Sequence, residues 1–118
     1  LTILGLSFKP NTDDIRDSTS LIIARKLLEK GVRLKTYDPK AMHNVKNEMN
    51  ELLICKNAYE ACEQSSGLII ATEWNEFRAL DLQRVKSLLE QPVIFDLRNI
   101  YNPSEISTLG IEYFGIGK

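Results

Sequence analysis

At 118 residues, the chain is long enough to bury its own core but too short for a two-domain enzyme. Its 15 Lys and Arg nearly balance 16 Asp and Glu, so the overall charge argues against nucleic acid or an acidic membrane surface as a partner. The sequence contains no signal-peptide pattern and no apolar run of membrane-spanning length. These features predict one domain that lies in the cytoplasm.

Six apolar runs alternate along the chain with stretches of helical periodicity. They predict strands at residues 1–6, 32–37, 52–55, 67–71, 92–97 and 111–116, and helices at residues 20–30, 41–49, 58–64, 81–90 and 103–109. Such alternation is typical of βαβ units, in which a parallel sheet is covered by helices. The predicted fold class is therefore α/β, with a Rossmann-like, doubly wound parallel sheet and helices on both faces.

The two cysteines, Cys55 and Cys62, have no Cys or His partners at a spacing that would bind a metal. Neither has a neighbouring cation or His that would activate a thiolate. We therefore expect both to be reduced packing residues, as in a cytosolic protein, and we expect no metal site.

Residues 8–18 place two cations and three carboxylates between the first strand and the first helix. A loop of this composition indicates an anion-binding site. Within it, Asp13 and Asp14 are assigned no chemistry, because adjacent loop residues usually point apart and are better suited to turn formation and pairing with Arg16.

Lys9 and Arg98 are the cations that we expect to hold an anion. Each follows a buried strand, and ligands of open parallel sheets bind beyond the carboxyl ends of the strands. There the sheet fixes the backbone, so that the charge meets a phosphate with little reorganisation. The alternative is that Lys9 and Arg98 pair internally with Asp13, Asp14 or Asp96, and residue types and spacing do not separate the two interpretations.

The turn after the first strand lacks the glycine fingerprint of dinucleotide-binding domains. Asp38, at the end of the second strand, occupies the place of a ribose-binding carboxylate, but the turn itself does not suit classical NAD binding. Trp74 and Phe77 are compatible with stacking on a base, although their spacing favours packing between a helix and the sheet.

Four segments resemble the C-terminal domain of the UDP-glucose/GDP-mannose dehydrogenase family. They are residues 5–18 (GLSFKPNTDDIRDS), 37–39 (YDP), 71–78 (ATEWNEFR) and 95–99 (FDLRN). The segments occur in order and span essentially the whole chain. The resemblance implies that residues 1–118 form a single UDP-sugar-binding domain, a fragment of a longer dehydrogenase.

The resemblance also implies a reaction and a division of labour. The family oxidises the C6 alcohol of a UDP-sugar to a carboxylate, here UDP-glucose to UDP-glucuronate, with NAD as the cofactor. The N-terminal domain binds NAD, and the central region carries the catalytic Cys and the homodimer interface, so no catalytic residue is expected in this fragment. By position, Phe8, Lys9 and Arg98 would contact the UDP-sugar, and Arg16 would reach NAD.

Two other hypotheses remain open at this point. A receiver-type signalling module is also doubly wound, and Lys9, Thr72 and the acidic pair fit it superficially. However, its chemistry needs a phosphoacceptor Asp at the end of a central strand, and residues 67–72 contain none. A stand-alone nucleotide-binding module without catalysis is the other alternative.

Overall fold

The computed structural model describes residues 1–5, 19–37, 53–71 and 75–115. The strands are β1 (Thr2–Leu4), β2 (Lys35–Tyr37), β3 (Leu53–Ile54), β4 (Leu68–Ile70), β5 (Val93–Asp96) and β6 (Glu112–Gly115). The helices are α1 (Thr19–Glu29), α2 (Ala58–Cys62), α3 (Asn75–Arg78), α4 (Leu82–Leu88) and α5 (Pro103–Thr108). Every predicted strand matches an observed one, with shorter bounds. The predicted helix at 41–49 lies outside the described residues, and the short α3 was not predicted.

The six strands of the described ranges form one parallel sheet in the order β3-β2-β1-β4-β5-β6. The chain moves outward from β1 to β3, returns to the centre at β4 and moves outward again to β6. The order therefore reverses between β1 and β4, as in the doubly wound Rossmann arrangement. The predicted fold class is confirmed. Receiver-type modules have the order 2-1-3-4-5, so the sheet contradicts the signalling hypothesis.

Side chains from alternate strand positions build a core on each face of the sheet. On one face, Leu4, Ile70 and Ile94 pack in a single cluster with Phe77 of α3 and Val85 of α4. α2 and α5 contribute to the same cluster through their buried residues, Ala58, Ala61, Cys62 and Ile106. Four of the five described helices therefore cover this face.

The opposite face is covered less evenly. Ile3 and Ile69 pack there against Ala24 of α1. Phe95 and Phe114 lie on the same face by strand register, with ring centroids 5.2 Å apart in a stacked arrangement. These rings remain 38% and 48% exposed. Helices therefore lie on both faces, as predicted, but the described helices leave β5 and β6 partly open on this side.

α1 ends at Glu29, one residue before the predicted bound, and Gly31 turns the chain after it. This residue has φ of +82°, a conformation that glycine adopts without the steric cost of a Cβ. Its N–H donates to the Leu28 carbonyl at 3.0 Å, and the Val32 N–H donates to the Leu27 carbonyl at 3.1 Å. This pair of bonds is the Schellman motif, which turns the chain from α1 toward β2.

Candidate functional site

The candidate site is the edge of the sheet at which the strands have their carboxyl ends. β1 ends at Leu4, β4 at Ile70 and β5 at Asp96, and the parallel register brings these ends together. Three of the proposed ligand residues, Phe8, Lys9 and Arg16, lie outside the described residues, as do Asp38 and Trp74.

Asp96 is the one charged residue among the fully buried side chains of the described ranges, with no exposed surface. Its Oδ1 accepts the backbone N–H of Arg98 at 3.0 Å. Its Oδ2 accepts the backbone N–H of Tyr101 at 3.1 Å and the hydroxyl of Tyr113 at 2.8 Å. A buried carboxylate is costly unless hydrogen bonds offset its desolvation, and these three donors supply them.

The hydrogen bonds of Asp96 fix the loop that leaves β5. The N–H of Arg98 donates to the side chain of Asp96, two residues earlier, and this bond closes a tight side-chain turn. Asn99 then adopts φ of +54°, a left-handed conformation that Asn tolerates. Between them, Arg98 is exposed. The loop therefore presents Arg98 at the carboxyl edge of the sheet, where the sequence placed it, and its role in binding stays a prediction.

The structure also shows a contact between Arg98 and Asp96 that the sequence did not suggest. The donor is the backbone N–H of Arg98, and the acceptor is the Asp96 carboxylate. In this role the carboxylate anchors the peptide that carries the cation.

Tyr101 ties the same loop to the helical layer. Its hydroxyl donates to the carbonyl of Phe77 at 2.5 Å, and its N–H reaches Asp96. Burial, followed by the nearby charge of Asp96, raises the pKa of the Tyr101 phenol above its usual range. The hydroxyl consequently stays protonated and remains a donor to Phe77 at neutral pH.

α3 borders the site beside the end of β2. The Tyr37 hydroxyl lies 3.1 Å and 3.3 Å from the two carboxylate oxygens of Glu76 and donates to them. The Tyr37 ring meets that of Phe77 edge to face, with centroids 6.4 Å apart. Phe77 is fully buried, so the packing interpretation is confirmed for this residue and it does not offer a stacking surface.

Both cysteines are buried free thiols, as predicted. Burial raises the pKa of Cys55, and it raises the pKa of Cys62 to about 12. A thiol with such a pKa is almost wholly protonated at neutral pH and is a poor nucleophile. Neither thiol therefore has the character of a catalytic cysteine.

Within the ranges that the structure covers, no group of three His, Cys, Asp or Glu side chains is arranged to hold a metal. In those ranges, no helix combines the length and apolar character that crossing a membrane requires.

The strand order defines a Rossmann-like, doubly wound α/β class of domain. A family model described as the UDP binding domain of the UDP-glucose/GDP-mannose dehydrogenase family matches residues 2–103. The chain belongs to this family.

Relatives and solved structures agree with the family. The chain is 44% identical to the UDP-glucose 6-dehydrogenase of Rhizobium meliloti and 37% identical to that of Bacillus subtilis, over its full length. It spans about 27% of the length of each of these relatives. A structure of a UDP-glucose dehydrogenase from Pyrobaculum islandicum superimposes with a TM-score of 0.80 at 32% identity, covering 98% of this chain and 24% of that one.

Sequence reasoning missed the tyrosines that surround Asp96. It considered Asp96 only as a possible ion-pair partner of a cation, and it gave Tyr101 and Tyr113 no role. A signal was nevertheless present, because Asp is rarely fully buried without partners and Asp96 ends an apolar strand.

Proposed function

We propose that this chain is the UDP-binding part of the substrate cleft in an NAD-dependent UDP-sugar 6-dehydrogenase. The whole enzyme would oxidise the C6 alcohol of UDP-glucose to the carboxylate of UDP-glucuronate. The observation that carries the proposal is the loop after β5, in which buried Asp96 anchors the peptide of exposed Arg98 at the carboxyl edge of the sheet. Membership of the family supplies the ligand class.

Arg98 is suited to one diphosphate oxygen or ribose oxygen of such a ligand. A guanidinium presents a planar set of donors, and hydrogen bonds between charged groups are stronger than those between neutral ones. In the proposal, Phe8 and Lys9 complete the UDP-sugar contact from the loop after β1. The strands β1 and β5 flank β4, so cations that follow these two strands would approach the ligand from both sides of β4.

The proposal places the catalytic cysteine outside residues 1–118. The buried, protonated state of Cys62 and Cys55 supports this division. The enzyme would be a cytoplasmic homodimer whose N-terminal and central domains complete the cleft.

NAD would accept the hydride, and it would be bound mainly by a different domain. This chain does not fit the role of the main NAD-binding unit. Gly5 follows β1 with φ of +94°, but the sequence after it has no second and third glycine to admit a pyrophosphate. Arg16 is the residue proposed to reach NAD from this chain.

Isothermal calorimetry with UDP on the full-length protein tests the proposal. Arg98→Ala and Lys9→Ala are each expected to weaken UDP binding by about tenfold or more, since a hydrogen bond to a charged group contributes about 1.5–3 kcal/mol. Arg33→Ala is the matched control, because Arg33 is an exposed arginine that precedes β2 at the opposite end of the sheet. Unchanged UDP affinity in both test variants would reject the proposal.

A further inference from the structure

Edge strand β6 reaches the loop that carries Arg98. Asp96 pairs with Gly115 in the register of β5 and β6, and Ile94 pairs with Tyr113. From this position, the Tyr113 hydroxyl lies 2.8 Å from Asp96 Oδ2 and 3.3 Å from the Tyr101 carbonyl. β6 therefore supplies a side-chain donor to the anchoring carboxylate.

The Tyr113 hydroxyl acts on Arg98 indirectly, through the Asp96 carboxylate that both contact. One oxygen of Asp96 holds the Arg98 N–H, while the other is shared by the Tyr101 N–H and the Tyr113 hydroxyl. Without the hydroxyl, Oδ2 loses one of its donors and the carboxylate is less firmly fixed about its χ2 angle. The peptide of Arg98 then loses part of the restraint on its orientation.

Gly115 acts on the same loop through space rather than through a bond. A Cβ at this position would lie 2.8 Å from Asn99 Oδ1 and 3.3 Å from the ring and hydroxyl of Tyr113. The first distance is shorter than real Cβ contacts, so the amide end of the Asn99 side chain would have to shift. Gly115 is not among the glycines with positive φ, and an alanine there would therefore test the space and not the backbone conformation.

We propose that Tyr113 and Gly115 are positioning residues for Arg98, so that β6 sets the affinity for the nucleotide without touching it. The proposal rests on the function proposed above. Partial burial and the hydrogen bond to Asp96 raise the pKa of Tyr113 above its usual range, so its hydroxyl remains a donor to higher pH than an exposed phenol would. The geometry of the hydroxyl and of the missing Cβ carries the proposal.

The test is a double-mutant cycle in the full-length enzyme with UDP-glucose as the substrate. Tyr113→Phe keeps the ring and removes the hydroxyl, and we expect it to raise KM for UDP-glucose about three- to tenfold while KM for NAD stays unchanged. Gly115→Ala should act in the same direction. In an Arg98→Ala background, Tyr113→Phe should have no further effect, because the group it positions is gone.

Tyr59→Phe is the matched control. The Tyr59 hydroxyl accepts the N–H of Asp81 at 2.9 Å at the start of α4, so this variant also loses one tyrosine hydrogen bond. It should leave KM for UDP-glucose unchanged. A purely structural role for Tyr113 would give equal effects in the presence and absence of Arg98, and that result would overturn the inference.

The outcomes separate the two proposals. If Arg98→Ala alone leaves KM for UDP-glucose unchanged, the proposed function of Arg98 fails, and the positioning role fails with it. If Arg98→Ala raises KM but neither Tyr113→Phe nor Gly115→Ala does, only the positioning role is wrong.

Discussion

The two ends of the sheet bury polar groups in different ways. At the amino end, the Thr2 hydroxyl contacts the Ala61 carbonyl and the Ser65 hydroxyl, so neutral groups fasten α2 to β1. At the carboxyl end, the buried carboxylate of Asp96 accepts hydrogen bonds from a loop and from an edge strand. The first cluster joins two elements of the core, whereas the second orients an exposed cation. Only the second arrangement needs a charge.

The largest expected effect follows removal of that charge. Asp96→Ala removes the acceptor of the buried Tyr101 N–H and of two partly buried donors, the Arg98 N–H and the Tyr113 hydroxyl, and a buried donor left unsatisfied costs about 1–3 kcal/mol. We expect the free energy of unfolding of the 118-residue chain to fall by about 3 kcal/mol or more in urea titrations. In the full-length protein, UDP affinity should fall at least tenfold. A loss of stability below about 1 kcal/mol would contradict the anchoring role.

The stability of the fold should depend on pH through Cys62, which lies beside the neutral cluster at the amino end of the sheet. The Cys62 thiol follows Ala61 in α2, and burial raises its pKa from 9.0 to about 12. Above pH 9 the unfolded chain releases this proton, whereas the folded chain keeps it. The contribution of the thiol to the free energy of unfolding is therefore complete below pH 9 and is lost as the pH rises toward 12. From pH 8 to pH 10 the thiol should account for a loss of about 1.4 kcal/mol.

Urea unfolding at pH 8, 9 and 10 measures this contribution. In the Cys62→Ala variant, the free energy of unfolding should fall by about 1.4 kcal/mol less between pH 8 and pH 10 than in the wild type, whatever the effect of the substitution on stability at pH 8. Cys55 has a raised pKa as well, so a smaller decline should persist in the variant. An identical decline in the two proteins would show that the Cys62 thiol is not buried as described.

The smallest effect is expected from a substitution in the cluster at the amino end of the sheet, which is formed by Thr2, Ala61 and Ser65. Thr2→Val keeps the shape and removes the hydroxyl, while Ser65 still donates to the Ala61 carbonyl at 3.3 Å. Stability should therefore fall by only about 1 kcal/mol, and UDP affinity should not change. Calorimetry with UDP is the critical measurement here. A tenfold loss of affinity would remove the functional difference between the two ends of the sheet.

Sequence patterns predicted the sheet well because its signals are local. Buried strands such as β4 are continuous apolar runs, and Gly31 and Asn102 mark helix ends by residue type, the latter through a side-chain bond to the Ser104 N–H at 2.9 Å. Predicted elements ran longer than observed ones. For example, the second strand begins at Lys35 instead of 32, because apolar residues also occur in the turn that follows α1.

The organisation around Asp96 was not predictable in the same way. Its donors come from two, five and seventeen residues further along the chain, and the last of these is brought close only by the pairing of β5 with β6. Local periodicity carries no information on such a contact. The position of Arg98, by contrast, depends only on its following a buried strand, and it could be predicted.

Hydrogen exchange of the full-length protein with and without UDP tests the central claim most directly, since it reports both ends of the sheet in one experiment. The claim is that the nucleotide binds at the carboxyl edge, beside the loop that Asp96 anchors. UDP should slow exchange in peptides that cover residues 97–101 and leave those that cover residues 63–67 unchanged. Protection of residues 63–67 without protection of residues 97–101 would contradict it.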